Sequence, residues 1–176
     1  MDEIEAGLEK LIEKIEENRG KSSELSEKIK ENDALLLTRM TKSAIPVVKT
    51  VGLAMLKMGK QDTKGEIYDP MYYPKKMIIL GKSDPAPYRP DNHQKQVTDQ
   101  FCVLSEEGKL FELMYSFDGF LTDSYLNPID AKSAIDRYGY DLLFMLYRAL
   151  ADYVKGEEKL IEALDIVVGY IFAKKM

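Results

Sequence analysis

The segment from Ser83 to Asp99 concentrates polar residue types that could take part in chemistry. Its prolines keep it extended and no hydrophobic periodicity crosses it, which is typical of a long loop. Long loops mounted on a sheet often present binding groups. The candidate ligand-binding residues are therefore Tyr88, Arg89, Asp91 and His93.

His93 is the residue of this loop best suited to proton transfer. Its ring could act as a general base if Asp91 oriented it, because a carboxylate can fix an imidazole and raise its basicity. The sequence pairs neither a nucleophile nor an oxyanion donor with His93, so we predict no catalytic residue. An exposed connecting loop is the simpler interpretation of the segment.

The counts of soft metal ligands exclude several enzyme classes. Cys102 is the only cysteine and His93 the only histidine. An intramolecular disulfide, a paired-cysteine redox motif and a zinc site with several soft ligands from one chain are therefore excluded. Asp118, Asp123 and Asp130 could be imagined around a divalent cation, but turn and helix-cap roles explain each of them. We predict no cofactor and no metal, and we expect Cys102 to be a small buried or half-buried hydrophobe and not a reactive thiol.

A second candidate surface is basic. We predict a helix from Ile45 to Met58, with Pro46 in its first turn and Gly59 at its end. At about 100° per residue, the basic side chains of residues 39–60 fall on one side and the valines and methionines on the other. Such a face could bind lipid headgroups or nucleic-acid phosphates through Lys42, Lys49, Lys57 and Lys60. Solvated lysines on a core helix are the alternative, and the net charge of −5 gives no overall attraction to nucleic acid.

The first of the elements that must position these groups is a long N-terminal helix. Its apolar residues recur at alternating spacings of four and three, which is the heptad register of a coiled coil. The aliphatic members are Ile4, Leu8, Leu11, Ile15, Leu25, Ile29 and Leu36, with Asn18, Ser22 and Asn32 as polar layers. A stripe of two positions in seven is too narrow for a globular core, so the pattern predicts an oligomer seam.

This helix has one plausible break, at residues 18–22, where Asn18 and Gly20 could make a turn. The heptad register continues across the break, which favours a continuous helix over a helical hairpin. A continuous helix would pair with a second copy, and an amphipathic helix lying on its own domain is a further alternative. Whether two copies would pair in parallel or antiparallel stays open.

Residues 66–117 are expected to form a small antiparallel sheet. Strands are predicted at residues 66–68 and 76–81, and a hairpin joins residues 101–104 to residues 110–115. Gly108 is expected to take a positive φ in the hairpin loop, and Asp118-Gly119 makes a second turn.

The C-terminal quarter is predicted to be helical. Asn127 and Pro128 match a helix start, Gly139 could bend or break the helix, and Lys155-Gly156 predicts the end of one helix before another. Two helices joined by so short a link would pack antiparallel and form the centre of the core. The strand face that carries Phe111, Leu113, Tyr115 and Phe117 is expected to lie against them.

These elements together predict an α+β fold: a small antiparallel β-sheet packed against C-terminal helices and preceded by a coiled-coil-like N-terminal helix. Residues 1–43 would form the helical arm and residues 44–176 the globular domain. Neither a signal peptide nor a membrane-spanning stretch is recognisable, so we expect a cytoplasmic protein.

The favoured function is a non-catalytic oligomeric protein-interaction module. Its expected partners are a second copy of itself, in a homodimer or higher homo-oligomer, and a further protein. One alternative is a small-ligand-binding protein or enzyme with a site near loop 83–99. Another is a peripheral binder of anionic membrane or nucleic acid that uses the basic helix 39–60.

Overall fold

The computed structural model describes residues 2–173 as four helices and a five-stranded antiparallel sheet. The helices are α1 (Glu3–Ser43), α2 (Ile45–Val51), α3 (Ala131–Tyr138) and α4 (Asp141–Ala173). The strands are β1 (Leu53–Gln61), β2 (Ile67–Ser83), β3 (Asp99–Ser105), β4 (Leu110–Phe117) and β5 (Leu121–Pro128). The predicted α+β class is confirmed.

The sheet closes on itself as a barrel in the order β1-β2-β3-β4-β5. Strand β1 pairs antiparallel with β2 on one side and with β5 on the other, where Met58 lies opposite Asp123. The predicted sheet of residues 66–117 lacked both closing strands. Register shifts along β1 mark bulges, which increase strand twist and allow a short sheet to curl round.

Strand β2 is continuous, so the prediction of two separate strands was wrong. Pro70 and Pro74 both lie inside it, at register shifts of its pairing with β1. A proline cannot donate to a regular ladder but is tolerated where a bulge interrupts the hydrogen bonds. Asp69 takes a positive φ of 49° beside the first of these prolines.

The barrel has its own apolar interior. Met77, Val103 and Leu113 are buried there, and Phe111 and Tyr115 pack around them. The expectation that the β4 face with these aromatic residues lies against the helices was therefore wrong. A closed barrel must fill its inside, so the face that carries Phe111, Leu113 and Tyr115 turns inward.

A second core lies between the outside of the barrel and the helices. Leu37 of α1, Val48 of α2 and Leu142 and Leu146 of α4 are fully buried. They pack with strand residues and with α3; the strand members are Leu80, Cys102, Leu104 and Leu110. A Cβ added at Gly81 would lie 3.1 Å from Leu142, so this glycine allows α4 to approach β2 closely.

The predicted helix Ile45–Met58 was wrong beyond its first two turns. Helix α2 ends at Val51, and β1 starts after Gly52. Gly52 has extended backbone angles of −62° and 153° and lies against Val48, where an added Cβ would be 2.3 Å from the Val48 carbonyl oxygen. The residues after Gly52 pair with the backbones of β2 and β5, and this pairing outweighs the helical spacing of their apolar side chains.

The C-terminal helices also differ from the prediction. Asn127 and Pro128 end β5, and the N-cap of α3 is Asp130, whose side chain accepts a hydrogen bond from the Ser133 amide. Gly139, with a φ of 79°, separates α3 from α4 as predicted. Helix α4 continues through Gly156, so the predicted antiparallel helix pair was wrong. A glycine inside a helix costs only about 1 kcal/mol relative to alanine, which strong helix formers on both sides can offset.

Two other local predictions were confirmed. Helix α1 is continuous across Gly20, so the helical hairpin is excluded. Gly108 and Gly119 take positive φ angles of 77° and 99° in the two predicted turns.

Candidate functional site

The loop between β2 and β3 is fastened to the barrel by Arg89, whose side chain is only 6% exposed. Its guanidinium binds Asp91 through two hydrogen bonds, Nε to Oδ1 at 2.9 Å and Nη2 to Oδ2 at 2.6 Å. Its Nη1 also forms an ion pair with Oδ1 of Asp123 on β5, at 3.0 Å. The angles of this contact do not suit a hydrogen bond. The loop thus folds back on itself and onto the neighbouring strand.

Lys95 completes this charge cluster. Its Nζ pairs with the second carboxylate oxygen of Asp123, so Asp123 lies between two cations. Hydrogen bonding to Arg89 lowers the pKa of Asp91, and the same bond raises the pKa of Arg89. Two cations and two carboxylates balance, so the cluster positions the loop and carries no surplus charge toward solvent.

The four predicted ligand-binding residues do not converge on one point. Arg89 and Asp91 meet in the charge cluster, whereas Tyr88 is 48% exposed and forms an isolated β-bridge with Gln96. His93 is exposed. Because the Asp91 carboxylate is engaged by Arg89, the structure gives no support to a His93–Asp91 base.

A cleft of about 230 Å³ lies beside this cluster, between the loop and the β4–β5 hairpin. Its polar lining combines a cation, two carboxylates, two amides and a hydroxyl: Lys95, Asp118, Asp123, Gln94, Gln96 and Ser116. Ser116 is only 6% exposed, and among the described residues its Oγ finds no hydrogen-bond partner. Buried hydroxyls are normally satisfied, so an unpartnered one in the wall of the cleft is unusual.

A second polar cluster, which was not predicted from the sequence, is buried around Glu112 of β4. Its side chain is fully buried and its carboxylate accepts a hydrogen bond from Arg137 Nη1 at 2.6 Å. Gln100 Nε2, Asn127 Nδ2 and the Tyr138 hydroxyl also donate to it, at 3.1, 2.9 and 3.2 Å. The only sequence signal was a glutamate inside an otherwise apolar strand.

This Glu112 cluster ties α3 to the outside of the barrel. Hydrogen bonding to Glu112 raises the pKa of Arg137, and burial is the main cause that raises the pKa of Tyr138 to about 12. Burial also raises the pKa of Cys102, which faces Glu112 across the β3–β4 pairing, to about 12. Cys102 is fully buried, as predicted, and its thiol is kept protonated.

The four lysines of the predicted basic helix lie on three different elements. Lys42 is in the last turn of α1 and Lys49 in α2, while Lys57 and Lys60 belong to β1. Lys60 pairs with Asp69 at 3.6 Å and lies 6.0 Å from the Tyr68 ring centre. The basic face of a single helix over residues 39–60 therefore does not exist.

The seven aliphatic residues of the predicted seam are exposed along the whole of α1, with accessible fractions between 44% and 77%. The helix meets its own body through its C-terminal half, where Lys132 of α3 binds Glu27 and Lys30 lies 3.5 Å from Asp136. Leu37 is fully buried, but its neighbour Leu36 is 44% exposed. The seam thus runs beside the surface by which α1 packs on its own chain.

Helix α4 also leaves apolar side chains uncovered beyond the barrel. Leu160, Leu164, Val167 and Ile171 are each at least half exposed and recur at spacings of four, three and four. They prolong the side of α4 on which Leu142 and Leu146 are buried.

Within residues 2–173, no helix is both long enough and apolar enough to cross a bilayer. Nor do the histidine, cysteine, aspartate and glutamate side chains of this range form a group of three or more that could hold a metal ion. No known protein family matches this chain, and no curated protein or solved structure is significantly similar to it.

Proposed function

We propose that this protein is a non-catalytic interaction module that associates with a second copy of itself through α1. The supporting observation is that a continuous heptad stripe of seven aliphatic residues stays exposed while Leu37, on the adjacent side of the helix, is buried. The side of α1 that packs against its own body is already covered, and the stripe lies on a different side of the helix. The proposal also places the protein in the cytoplasm, where thiols such as that of Cys102 are kept reduced.

The energetics favour covering this stripe. Fully burying one leucine or isoleucine is worth about 1.5–3 kcal/mol, and each chain contributes seven such residues. Association costs about 4–15 kcal/mol in lost freedom of motion, so a dimer seam of this length can be stable in spite of its polar layers. The barrel and its loops would then be displayed in two copies to a further protein partner.

Replacing Leu11 and Leu25 together with glutamine is expected to convert the full-length protein into a monomer, because both residues lie in the stripe and neither touches the core. The measurement is the solution mass by light scattering at micromolar concentration. The control replaces Glu13 and Glu16, which lie on the outer side of α1, with glutamine and should keep the mass of the unaltered protein. A monomeric mass for the unaltered protein would refute self-association.

The cleft with Ser116 supports a second candidate function, the binding of a small polar molecule. Its volume of about 230 Å³ is below that of most drug-sized pockets but suits a molecule the size of an amino acid. Lys95 is already paired with Asp123, so Asp118 is the charged group of the lining that would complement a ligand, one that carries a positive charge.

Replacing Ser116 with alanine tests whether the cleft binds a ligand. In the ligand-free protein the change is expected to preserve or raise the free energy of unfolding, by up to about 1–2 kcal/mol, because it removes a buried hydroxyl without a partner. The measurement is urea unfolding, followed by thermal unfolding with each of the common amino acids at millimolar concentration. A ligand that raises the melting temperature of the unaltered protein but not of S116A would establish the site; the absence of any such shift would count against it.

A further inference from the structure

We infer that the two copies of α1 pair in parallel and in register. This inference rests on the proposed self-association and adds the orientation of the partner helix. It follows from the charges that flank the aliphatic stripe. In a coiled coil these flanking positions face the partner helix and decide which pairings are tolerated.

The two flanks of the stripe differ in charge. One flank carries Lys14, Lys21 and Lys28, each immediately before an inward-facing position. The other carries Arg19, Ser26 and Asp33, each immediately after one. The three lysines are exposed on α1.

In an antiparallel pair, each flank meets the same flank of the partner. The lysine flank then always faces a lysine flank, whatever the register. In the register that places Leu11 opposite Ile29, Lys14 meets Lys28, Lys21 meets its own copy, and Arg19 also meets its own copy. Each of these contacts is repulsive.

In a parallel pair, each flank meets the opposite flank of the partner, five residues further along. Lys28 then meets the partner's Asp33, which is attractive, and Lys21 meets Ser26, which is neutral. Only Lys14 opposite Arg19 is repulsive. Charge complementarity therefore favours the parallel arrangement.

The polar layers fit the same arrangement. In a parallel pair Asn18, Ser22 and Asn32 each meet their own copy, so their side chains can hydrogen-bond to each other across the seam. In the antiparallel register above, Asn32 would instead lie opposite Leu8. A polar group facing an aliphatic one loses its partner on leaving water.

The body of the protein leaves room for a parallel partner. Leu36 and Leu37 are about 100° apart around the helix. Leu37 is fully buried in the body while Leu36 is 44% exposed. Glu27, which binds Lys132 of α3, is about 180° from Leu36 around the helix, so two bodies at the same end of a parallel pair lie on the outer sides of the two helices.

Disulfide trapping tests the orientation in the full-length protein. Leu11→Cys and Leu25→Cys are made separately and oxidised; the native Cys102 is fully buried and does not compete. A parallel, in-register pair should give a disulfide-linked dimer with both variants, because each position faces itself. An antiparallel pair can bring at most one of these positions opposite its own copy, since they are 14 residues, or about 21 Å, apart along the helix.

A mixture of Leu11→Cys and Ile29→Cys chains provides the opposing test. A mixed dimer there, with no more than one self-linked single variant, would overturn the parallel arrangement while leaving self-association intact. The absence of every linked dimer, together with a monomeric mass, would refute the proposed function itself. The two failures are thus distinguishable.

A charge-reversal variant gives a second test, because the two orientations predict opposite changes in the affinity of the dimer. Lys28→Glu should weaken a parallel dimer about tenfold, because it puts a new carboxylate opposite the partner's Asp33 in both halves of the interface. Lys21→Glu is the matched control: it loses a comparable intrahelical pair with Glu17 but faces serine, and its dissociation constant should change much less. If Lys28→Glu strengthens association, the helices are antiparallel.

Discussion

Replacing Leu37 with alanine is expected to lower the free energy of unfolding by about 2–5 kcal/mol, because the residue is fully buried where α1 meets the barrel and α4. The shortened side chain leaves a cavity that α1 cannot close without shifting on α3. The loss should be visible in urea unfolding followed by circular dichroism.

The matched control is the same truncation one residue earlier. Leu36 is 44% exposed, so Leu36→Ala should leave the stability of the folded body nearly unchanged. If α1 forms the seam, L36A will instead weaken self-association, and its effect on unfolding will depend on protein concentration. Equal losses of stability in L36A and L37A, independent of concentration, would contradict the separation of the two sides of α1.

Replacing Arg137 with methionine is the second change with a large expected effect. It leaves the carboxylate of Glu112, which is fully buried, without its cation. Removing one partner of a buried ion pair typically lowers the free energy of unfolding by about 3–5 kcal/mol. Arg137 is itself 55% exposed and neutral donors remain around Glu112, so we expect a loss of about 2–4 kcal/mol in urea unfolding.

Two further variants separate the loss of charge pairing from a loss of packing. Adding Glu112→Gln to Arg137→Met should recover part of the stability, because the neutral amide no longer needs a cation. Arg148→Met removes an exposed arginine from α4 and should change the unfolding free energy by less than about 0.5 kcal/mol. If R137M is no less stable than R148M, the Glu112 cluster does not hold α3 on the barrel.

The parts of the fold that depend on local sequence were predictable. The continuity of α1, the turns at Gly108 and Gly119 and the break at Gly139 each depend on residues close in the chain. Periodicity and the conformational freedom of glycine are sufficient to find such features.

The parts that depend on distant partners were not predictable in the same way. Residues 53–58 match a helical pattern as well as a strand, and only their pairing with β2 and β5 decides between the two. The end of α4 was misplaced because Gly156 is a usual stop signal, whereas here the flanking residues keep the helix intact.

The candidate site also combines features that local sequence predicts with features that depend on distant residues. The loop from Ser83 to Asp99 was found from its prolines and polar residues, but the role of Arg89 depends on Asp123, which lies 34 residues further along the chain. The Glu112 cluster draws its members from β3, β4, β5 and α3. A pattern within one segment gives no sign that such residues will meet.

Barrel closure has a consequence for the order of events during synthesis. Strand β1 cannot complete its pairing until β5 has left the ribosome, because Met58 needs Asp123 as its partner. Helix α1 emerges long before that, and its stripe needs nothing from the barrel. In the proposed parallel dimer, neighbouring nascent chains on one messenger RNA would therefore join through their first helices while their bodies are still unfolded, because they emerge side by side in the same direction.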